Sequence, residues 1–317
     1  MNNLLKLTVI SLIFSLTGCN QSSTDPTNIA EESLTVAAQQ LALSIDKLGN
    51  SNENPRTIRD GALRTVRARD WTSGFYPGCL WYMFEHTGDE KFLEAAIHYI
   101  MIVDQLQFYE CTLDLVFMLF LSFGFVYLLT IDPEYWYVVI QSAKTLATRF
   151  NPNVGCTKSW DHNQDKWQYP VIIDNMMNLE LLFWVAKETD DTDLYNLAVT
   201  HAETTMNNHY RGDYSSWHVL DYDTITGEVL HKHTHQGYAH ESAWARGQSW
   251  GFYGYTMTYR ETGDQKFLDH ARNIADFLLN HENLPEDMVP YWDFNAPNIP
   301  DEPRDASAAA ILCSGLY

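Results

Sequence analysis

Four short turns of the form Thr-x-Asp recur along this chain, and each joins an apolar, aromatic-rich segment to an amphipathic one. The turns are Thr87-Gly88-Asp89, Thr130-Ile131-Asp132, Thr189-Asp190-Asp191 and Thr262-Gly263-Asp264. Repetition of one helical hairpin restricts the fold to a ring or a solenoid of hairpins. A solenoid keeps a constant period, whereas these turns are 43, 59 and 73 residues apart. The uneven spacing favours an all-α toroid of hairpins over an open α-solenoid.

The two halves of each hairpin differ in where they place apolar residues. The first segment is apolar nearly all round, which predicts a buried inner helix, and the second alternates at helical spacing, which predicts an outer helix. Asp suits the N-cap of the outgoing helix, and Gly88 and Gly263 suit a helix C-terminus. This pattern also predicts inner helices over 176–187 and 248–260, with a fifth inner helix that starts near Asp305. Outer helices are predicted over 30–48, 193–207 and 265–280.

Four polar or aromatic residues lie at nearly the same distance before the four turns. Trp71 and Asp114 each precede their turn by 16 residues, Asp174 by 15 and Gln248 by 14. At about 1.5 Å of rise per residue, they lie roughly 21–24 Å from the turns, at one height in a ring of parallel inner helices. Two carboxylates across an aromatic cavity are typical of acid/base chemistry on glycosides. Either Asp taken alone is better explained as an N-cap or a buried hydrogen-bonded group, but two at equal height, level with Trp71 and Gln248, favour the catalytic interpretation.

The N-terminus reads as a targeting segment rather than as part of the fold. Lys6 precedes an apolar run over residues 7–16, and Leu16-Thr17-Gly18-Cys19 resembles a bacterial lipoprotein cleavage site. We therefore expect a lipoprotein signal peptide over 1–19 with lipidation at Cys19, a tether over 20–29, and one catalytic domain over 30–317. This predicts a lipid-anchored protein of the bacterial cell envelope, periplasmic or at the outer membrane. An ordinary secretory signal with an incidental Cys is the alternative.

The net charge limits the binding partners of the chain, and the cysteine spacing indicates the state of its thiols. The formal net charge of −21 argues against nucleic acid and acidic membrane surfaces, so we expect membrane contact only through the lipid anchor. Aromatic residues make up 14% of the chain, and aromatic rings are surfaces on which sugars stack. The other cysteines, Cys79, Cys111, Cys156 and Cys313, lack a paired or metal-site spacing, which indicates buried free thiols, with one disulfide as the alternative.

Three further features have competing interpretations. Residues 113–131 are long and apolar enough for a membrane span, but their place in the hairpin series indicates a buried inner helix. His231, His233 and His235, with His240 nearby, alternate as in an extended loop, and their spacing fits no familiar metal site, so we expect no metal. Arg246 is either an anchor for a substrate carboxylate or the partner of a structural Asp.

Six motifs together resemble the unsaturated glucuronyl hydrolases of glycoside hydrolase family 88, over residues 30–312. They are Asp70-Trp71-Thr72-Ser73-Gly74-Phe75, Ile173-Asp174-Asn175-Met176-Met177-Asn178, His235-Gln236-Gly237-Tyr238, Trp244-Ala245-Arg246-Gly247-Gln248, Pro290-Tyr291-Trp292-Asp293-Phe294 and Asp301-Glu302-Pro303-Arg304-Asp305-Ala306-Ser307-Ala308. The resemblance implies an (α/α)6 barrel without a cofactor. It also implies release of 4,5-unsaturated uronic acid from the non-reducing end of oligosaccharides that polysaccharide lyases produce.

The resemblance also implies a role for each candidate site residue. Asp174 would protonate the C4=C5 vinyl ether and Asp114 would hold the ring hydroxyls and assist. Trp71 would stack on the sugar, and His235, Arg246 and Gln248 would surround the uronate and the water. A conventional inverting glycosidase that uses Asp114 and Asp174 as base and acid is the nearest alternative.

The chain departs from the family pattern in one region and in length. The family's usual His-Asp-Leu-Gly-Phe is Leu113-Asp114-Leu115-Val116-Phe117 here, and Gly-Asn-Gly-Tyr-Arg-Leu-Thr is replaced over residues 124–130. Bulky residues at glycine positions predict overpacking of about 1–3 kcal/mol per site. These losses motivate a second alternative, a catalytically impaired protein that binds acidic oligosaccharides. Family members usually continue for another hairpin, so we expect a barrel truncated at the C-terminus.

Overall fold

A computed structural model describes residues 26–317, which form an all-α ring of helical hairpins. The expected signal peptide over 1–19, with Cys19, and residues 20–25 of the expected tether lie outside the described residues. Five inner helical segments are α2 (Phe75–Thr87), a π-helix (Val116–Gly124) continued by α4 (Phe125–Thr130), α6 (Asn175–Thr189), α8 (Ala245–Thr262) and α10 (Ala306–Leu316). The outer helices are α1 (Pro26–Leu48), α3 (Glu90–Val103), α5 (Pro133–Ala147), α7 (Thr192–Asn208) and α9 (Gln265–Leu279).

The four Thr-x-Asp turns have one common geometry, as the sequence predicts. The Thr hydroxyl donates to the carbonyl four residues earlier, at 2.6–2.8 Å. The middle residue is left-handed, with φ between 53° and 68°, and the Asp carboxylate accepts from the backbone N–H two residues later. Glycine adopts this φ without strain, yet Ile131 and Asp190 adopt it too. The hydrogen bonds of the Asp caps stabilise the turn even where its middle residue is not glycine.

Neighbouring inner helices pack side by side and the outer helices cover them. The pairs in contact are α2 with the π-helix, the π-helix with α6, α6 with α8, and α8 with α10. Gly74 and Gly78 permit the first of these contacts. A Cβ atom on Gly74 would lie 2.1 Å from the carbonyl oxygen of Phe117, and one on Gly78 would lie 2.6 Å from that of Leu121. The toroid is therefore confirmed, and its fifth inner helix starts at Ala306 behind an Asp305 N-cap.

The apolar segment 113–131 is an inner helix, but its winding differs from expectation. Val116–Gly124 forms a π-helix, which is rare in proteins and is frequently found at functional sites. Val116, Leu119 and Val126 are fully buried. Within residues 26–317 no helix combines the length and apolarity needed to cross a membrane.

Short strands, which the sequence patterns did not predict, build the loops before the inner helices. β1 (Asn54–Arg59) and β2 (Ala62–Val66) pair in one hairpin, and β3 (Phe150–Asn151) and β4 (Cys156–Thr157) in another. β5 (Pro170–Ile172), β6 (Val219–Tyr222) and β7 (Val229–His233) form an antiparallel sheet in that order. The end of β5 and the start of β6 meet where the chain enters α6.

Two other expectations need correction. Helix α1 starts at Pro26, so residues 26–29 of the expected tether are helical, and proline is favoured at the first position of a helix. The four cysteines of the described chain are free, as expected, but only Cys156 is buried. Cys79, Cys111 and Cys313 are exposed.

Candidate active site

The N-terminal ends of the inner helices surround a cavity of about 270 Å³. Five of the six sequence-predicted residues line it, namely Trp71, Asp114, Asp174, His235 and Arg246. The remaining wall is formed by Leu113, Phe117, Trp160, Ile172, Gln236 and Trp250. The equal distances from the four turns thus do bring the two carboxylates and a tryptophan together.

Asp174 is held rigidly between β5 and α6. The N–H of Ile173 donates to the carbonyl of His218 at 3.0 Å, which ties the end of β5 to the start of β6. The next residue, Asn175, is fully buried, donates to the carbonyl of Thr157 at 2.7 Å and accepts from the hydroxyl of Ser159 at 2.8 Å. These bonds fix the backbone on both sides of Asp174.

The environment of Asp174 favours its neutral form. The residue is 7% exposed, and burial raises its pKa to about 7, because a buried carboxylate loses its hydration. Asp114 adds to the rise through like charge, while Arg246 opposes it. A carboxyl group with this pKa carries a proton for transfer near neutral pH.

Asp114 is the second carboxylate, at the entrance to the π-helix. It is half-buried, and its Oδ2 atom accepts from the hydroxyl of Thr112 at 2.7 Å. Burial raises its pKa to about 6, with a smaller contribution from Asp70, while Thr112 and Arg149 lower it. Burial thus raises the pKa of both carboxyl groups, and a nearby arginine opposes it in each case, Arg149 at Asp114 and Arg246 at Asp174.

His218 is a site residue that the sequence motifs missed. Its Nδ1 atom accepts from the backbone N–H groups of His235 and Gln236, at 3.0 and 3.1 Å. The proton of the neutral ring must therefore be on Nε2, which lies 3.7 Å from Oδ2 of Asp174. Burial holds the pKa of His218 well below its usual value, so the ring is neutral. No motif contains His218, because its role depends on the meeting of two strands.

Arg246 pairs with a structural Asp, as one of the two interpretations predicted, and its role as an anchor for a substrate carboxylate stays a prediction. It forms a salt bridge with Asp305, the N-cap of α10, and it also lines the cavity. Its Nη2 atom donates to Oε1 of Gln236 at 3.3 Å, and its guanidinium lies 4.6 Å from the ring centroid of Trp244. Gln236 was missed although it stands beside His235 in a recognised motif.

Gln248 lies in α8 but not at the cavity. Its side chain is buried, with Oε1 accepting from the N–H of Ser216 at 2.7 Å and Nε2 donating to the carbonyl of Ser216 at 3.1 Å. This pair of bonds anchors the segment that leads into His218. The helical spacing placed Gln248 at the right height, but α8 turns its side chain toward the protein interior. Gln248, which was predicted to contact the substrate, is therefore not part of the cavity wall.

Aromatic side chains form one wall of the cavity. Trp71 packs edge-on against Phe117, with ring centroids 5.4 Å apart, and Arg56 lies 5.2 Å from the Trp71 centroid. Trp160 and Trp250 complete the wall, and no sequence motif singled them out. Among residues 26–317 no three His, Cys, Asp or Glu side chains are placed to hold a metal ion.

A family model described as Glycosyl Hydrolase Family 88 matches residues 45–260, more than half of the chain. The chain belongs to glycosyl hydrolase family 88. It is therefore a glycoside hydrolase, and its ring of helical hairpins is consistent with the (α/α)6 barrel of that family.

Several family 88 proteins resemble the chain over most of its length. An unsaturated glucuronyl hydrolase of Formosa agariphila is 45% identical over 98% of this chain and 80% of its own length. An unsaturated chondroitin disaccharide hydrolase of Streptococcus agalactiae is 32% identical, over 90% of this chain and 72% of its own. The crystal structure of an unsaturated glucuronyl hydrolase specific for heparin has a TM-score of 0.84 and 46% identity, and covers 90% of this chain and 78% of the other.

Proposed function

We propose that the chain releases 4,5-unsaturated uronic acid from the non-reducing end of lyase-generated oligosaccharides by hydrating the C4=C5 double bond. The observation that carries this proposal is the buried Asp174, whose pKa of about 7 lets it act as an acid and then as a base in a small aromatic cavity. Its relatives named as unsaturated glucuronyl and chondroitin disaccharide hydrolases support the same substrate class.

The reaction consumes one water and returns the catalyst unchanged. Asp174 transfers its proton to C4, and a water molecule attacks C5 while its proton passes to the Asp174 carboxylate. The hemiketal at C5 opens as the C5–ring oxygen bond breaks and a ketone forms. The resulting hemiacetal at C1 then expels the leaving sugar as an alcohol, which yields the free keto-aldehyde form of the uronic acid.

The other cavity residues have distinct parts in this proposal. Asp114 holds ring hydroxyls as an acceptor, and Arg246 binds the uronate with its free donors. Trp71 provides the stacking face and His235 a polar edge. His218, through its Nε2–H, orients the Asp174 carboxyl group. Gln248 acts indirectly, since it fixes the chain segment before His218.

The direct test follows ultraviolet absorbance of the conjugated double bond in an unsaturated disaccharide. The wild-type chain is expected to remove this absorbance, and Asp174→Asn to slow it about 10²–10⁴-fold. Asp269→Asn, on the exposed face of α9, is the matched control and should match the wild type. Asp174→Asn within threefold of the wild type would exclude the acid/base role.

Two comparisons separate the alternatives. A saturated disaccharide with the same linkage should be stable, whereas a conventional inverting glycosidase would cleave it. A catalytically impaired binding protein would bind the unsaturated disaccharide without turnover. Leu113 and Val116 give this second alternative its support, because both are buried apolar residues beside Asp114.

The cell-envelope location is a further part of the proposal. Its support is the apolar run over residues 7–16 followed by Leu16-Thr17-Gly18-Cys19. Bacteria that express the full chain should incorporate labelled fatty acid into it, and Cys19→Ala should abolish the label. Labelling that persists in Cys19→Ala would exclude lipidation at this residue.

A further inference from the structure

Arg149 is a buried arginine that lies outside the cavity wall, two residues after the end of α5. Its side chain is only 5% exposed, and arginine is almost never this buried unless it is paired. Its Nε atom donates to the carbonyl of Lys158 at 2.7 Å. Its Nη1 atom donates to the carbonyl of Glu110 and to Oδ2 of Asp161. One guanidinium thus joins the loop before the π-helix to the loop after β4.

Both of these loops supply residues of the cavity wall. Leu113 and Asp114 lie on the first loop, and Trp160 lies on the second. The loops also pair directly, because the N–H of Leu113 donates to the carbonyl of Ser159 at 3.1 Å and Thr112 forms an antiparallel bridge with Trp160. The arginine binds both loops next to this pairing, so it helps to fix the position of Asp114 relative to Trp160.

Arg149 also acts on the charge of Asp114. Burial raises the pKa of Asp114 to about 6, and the positive field of Arg149 opposes this rise. The hydroxyl of Thr112 lowers the pKa as well, whereas the like charge of Asp70 raises it. Asp174 also interacts with Asp114 through like charge. Among these four neighbours Arg149 is the cation, so it favours the ionised carboxylate.

The counter-ion of Arg149 leaves part of its positive charge uncompensated. Asp161 is shared between Arg149 and Lys158, at 2.9 and 3.0 Å. Although burial raises the pKa of Asp161, hydrogen bonds and positive charge from both cations bring it below its usual value. The Nη2 atom of Arg149 is buried and has no hydrogen-bond partner in the described part of the chain. One carboxylate that serves two cations therefore does not cancel the field of the guanidinium.

We propose that Arg149 is a positioning residue for the hydration reaction, which keeps Asp114 ionised and fixes it relative to Trp160. This inference rests on the proposed function, in which the Asp114 carboxylate accepts from the ring hydroxyls of the uronate. An ionised carboxylate accepts hydrogen bonds at both oxygens, whereas a protonated one must donate at one of them. Arg149 acts through Asp114 and does not touch the substrate, because it is not part of the cavity wall.

The first test needs no substrate. Carbon-13 NMR follows the carboxyl groups of the folded chain against pH, and the signal that is lost in Asp114→Asn identifies Asp114. In Arg149→Gln the titration midpoint of Asp114 should rise by about 0.5–1 unit, because the opposing positive charge is gone. Arg149→Lys keeps the charge and should rise by less than half as much. Arg272→Gln, exposed on α9, is the control and should leave the midpoint unchanged. An unchanged midpoint in Arg149→Gln, or an equal rise in Arg149→Lys, would overturn the proposal.

Asp161→Asn tests the same contact from the opposite side and leaves Arg149 in place. Loss of this counter-ion increases the positive field at Asp114, so the titration midpoint of Asp114 should fall. A midpoint that is unchanged or higher would overturn the proposal, and this result can be obtained even if Arg149→Gln does not fold.

Kinetics with an unsaturated disaccharide connect the charge of Asp114 to the reaction. The loss of kcat/KM in Arg149→Gln, relative to the wild type, should be about two- to eightfold larger at pH 5.5 than at pH 8, where Asp114 is ionised in both proteins. An equal loss at both pH values would indicate a purely structural role and would overturn the proposal. A wild-type chain that leaves the disaccharide intact would contradict the proposed function, whereas the NMR titration would still test the effect of Arg149 on Asp114.

Discussion

The Nε2 atom of His218 lies 3.7 Å from Oδ2 of Asp174, and neither atom has another hydrogen-bond partner in the described part of the chain. Two backbone N–H groups occupy Nδ1 of His218, so its proton is directed at Asp174. Catalytic hydrogen bonds are often long in the free enzyme and shorten with substrate bound. The pair thus supplies an orienting donor that leaves Asp174 able to exchange its own proton.

The alkaline limb of the activity profile should report Asp174. Protonated Asp174 is the active form, and its pKa is about 7, so kcat/KM should fall as the pH rises through this value. Asp114→Asn removes a negative charge that raises this pKa, so the limb should move to lower pH. Asp213→Asn, outside the cavity, serves as control. A limb that stays in place in Asp114→Asn would show that another group controls it.

Asp174 should also make stability depend on pH. Its pKa is raised on folding from 3.8 to about 7, so the native state binds the proton more tightly than the unfolded chain does. Its favourable contribution is complete below about pH 4 and is lost as the pH rises through 7. Asp174→Asn should therefore unfold at a higher temperature than the wild type at pH 8, but not at pH 4. Equal differences at both pH values, measured by calorimetry, would contradict this linkage.

Gln248→Leu should lower kcat about 10–100-fold with KM within threefold, because it removes both bonds that hold Ser216 in front of His218. If Gln248 acts through His218, the double variant Gln248→Leu/His218→Asn should be no slower than His218→Asn alone. Gln265→Leu on the exposed face of α9 is the matched control. Fully additive losses would indicate that Gln248 acts by another route.

Gly74→Ala should lower the free energy of unfolding by about 1–3 kcal/mol. The added Cβ would lie 2.1 and 2.3 Å from the carbonyl oxygens of Phe117 and Met118, and backbone atoms cannot move aside cheaply. Gly212→Ala is the control, since nothing lies within 4 Å of the Cβ built there. Denaturant unfolding measures both, and equal midpoints would show that α2 and the π-helix separate without cost.

The double substitution Leu113→His/Val116→Gly should raise kcat/KM at least threefold. Leu113 lines the cavity and offers no hydrogen bond beside Asp114, and Val116 is fully buried at the start of the π-helix. An imidazole at position 113 would bind substrate or tune Asp114. The control variant Leu113→Gln/Val116→Gly shows whether the gain needs an imidazole at position 113 or only a polar side chain. If neither activity nor thermal stability rises, the altered residues are not what limits this enzyme.

The sequence alone was sufficient for the ring of hairpins and for five residues of the cavity. Hairpin order follows from local signals, namely the Thr-x-Asp caps and the contrast between all-round and one-sided apolar segments. A constant distance from each cap sets the height of a side chain along a helix. Trp71, Asp114 and Asp174 were found in this way because height decides whether a residue reaches the cavity end.

Direction and long-range pairing were decided only by the tertiary structure. Gln248 stands at the predicted height but points inward, because the rotation of α8 depends on its packing against α6 and α10. His218 lies 44 residues after Asp174, and it reaches Asp174 only because β5 and β6 pair in register. The raised pKa of Asp174 likewise comes from burial by several segments at once. Local sequence encodes helices and caps, whereas the burial and the contacts of a catalytic residue come from segments that are distant in the chain.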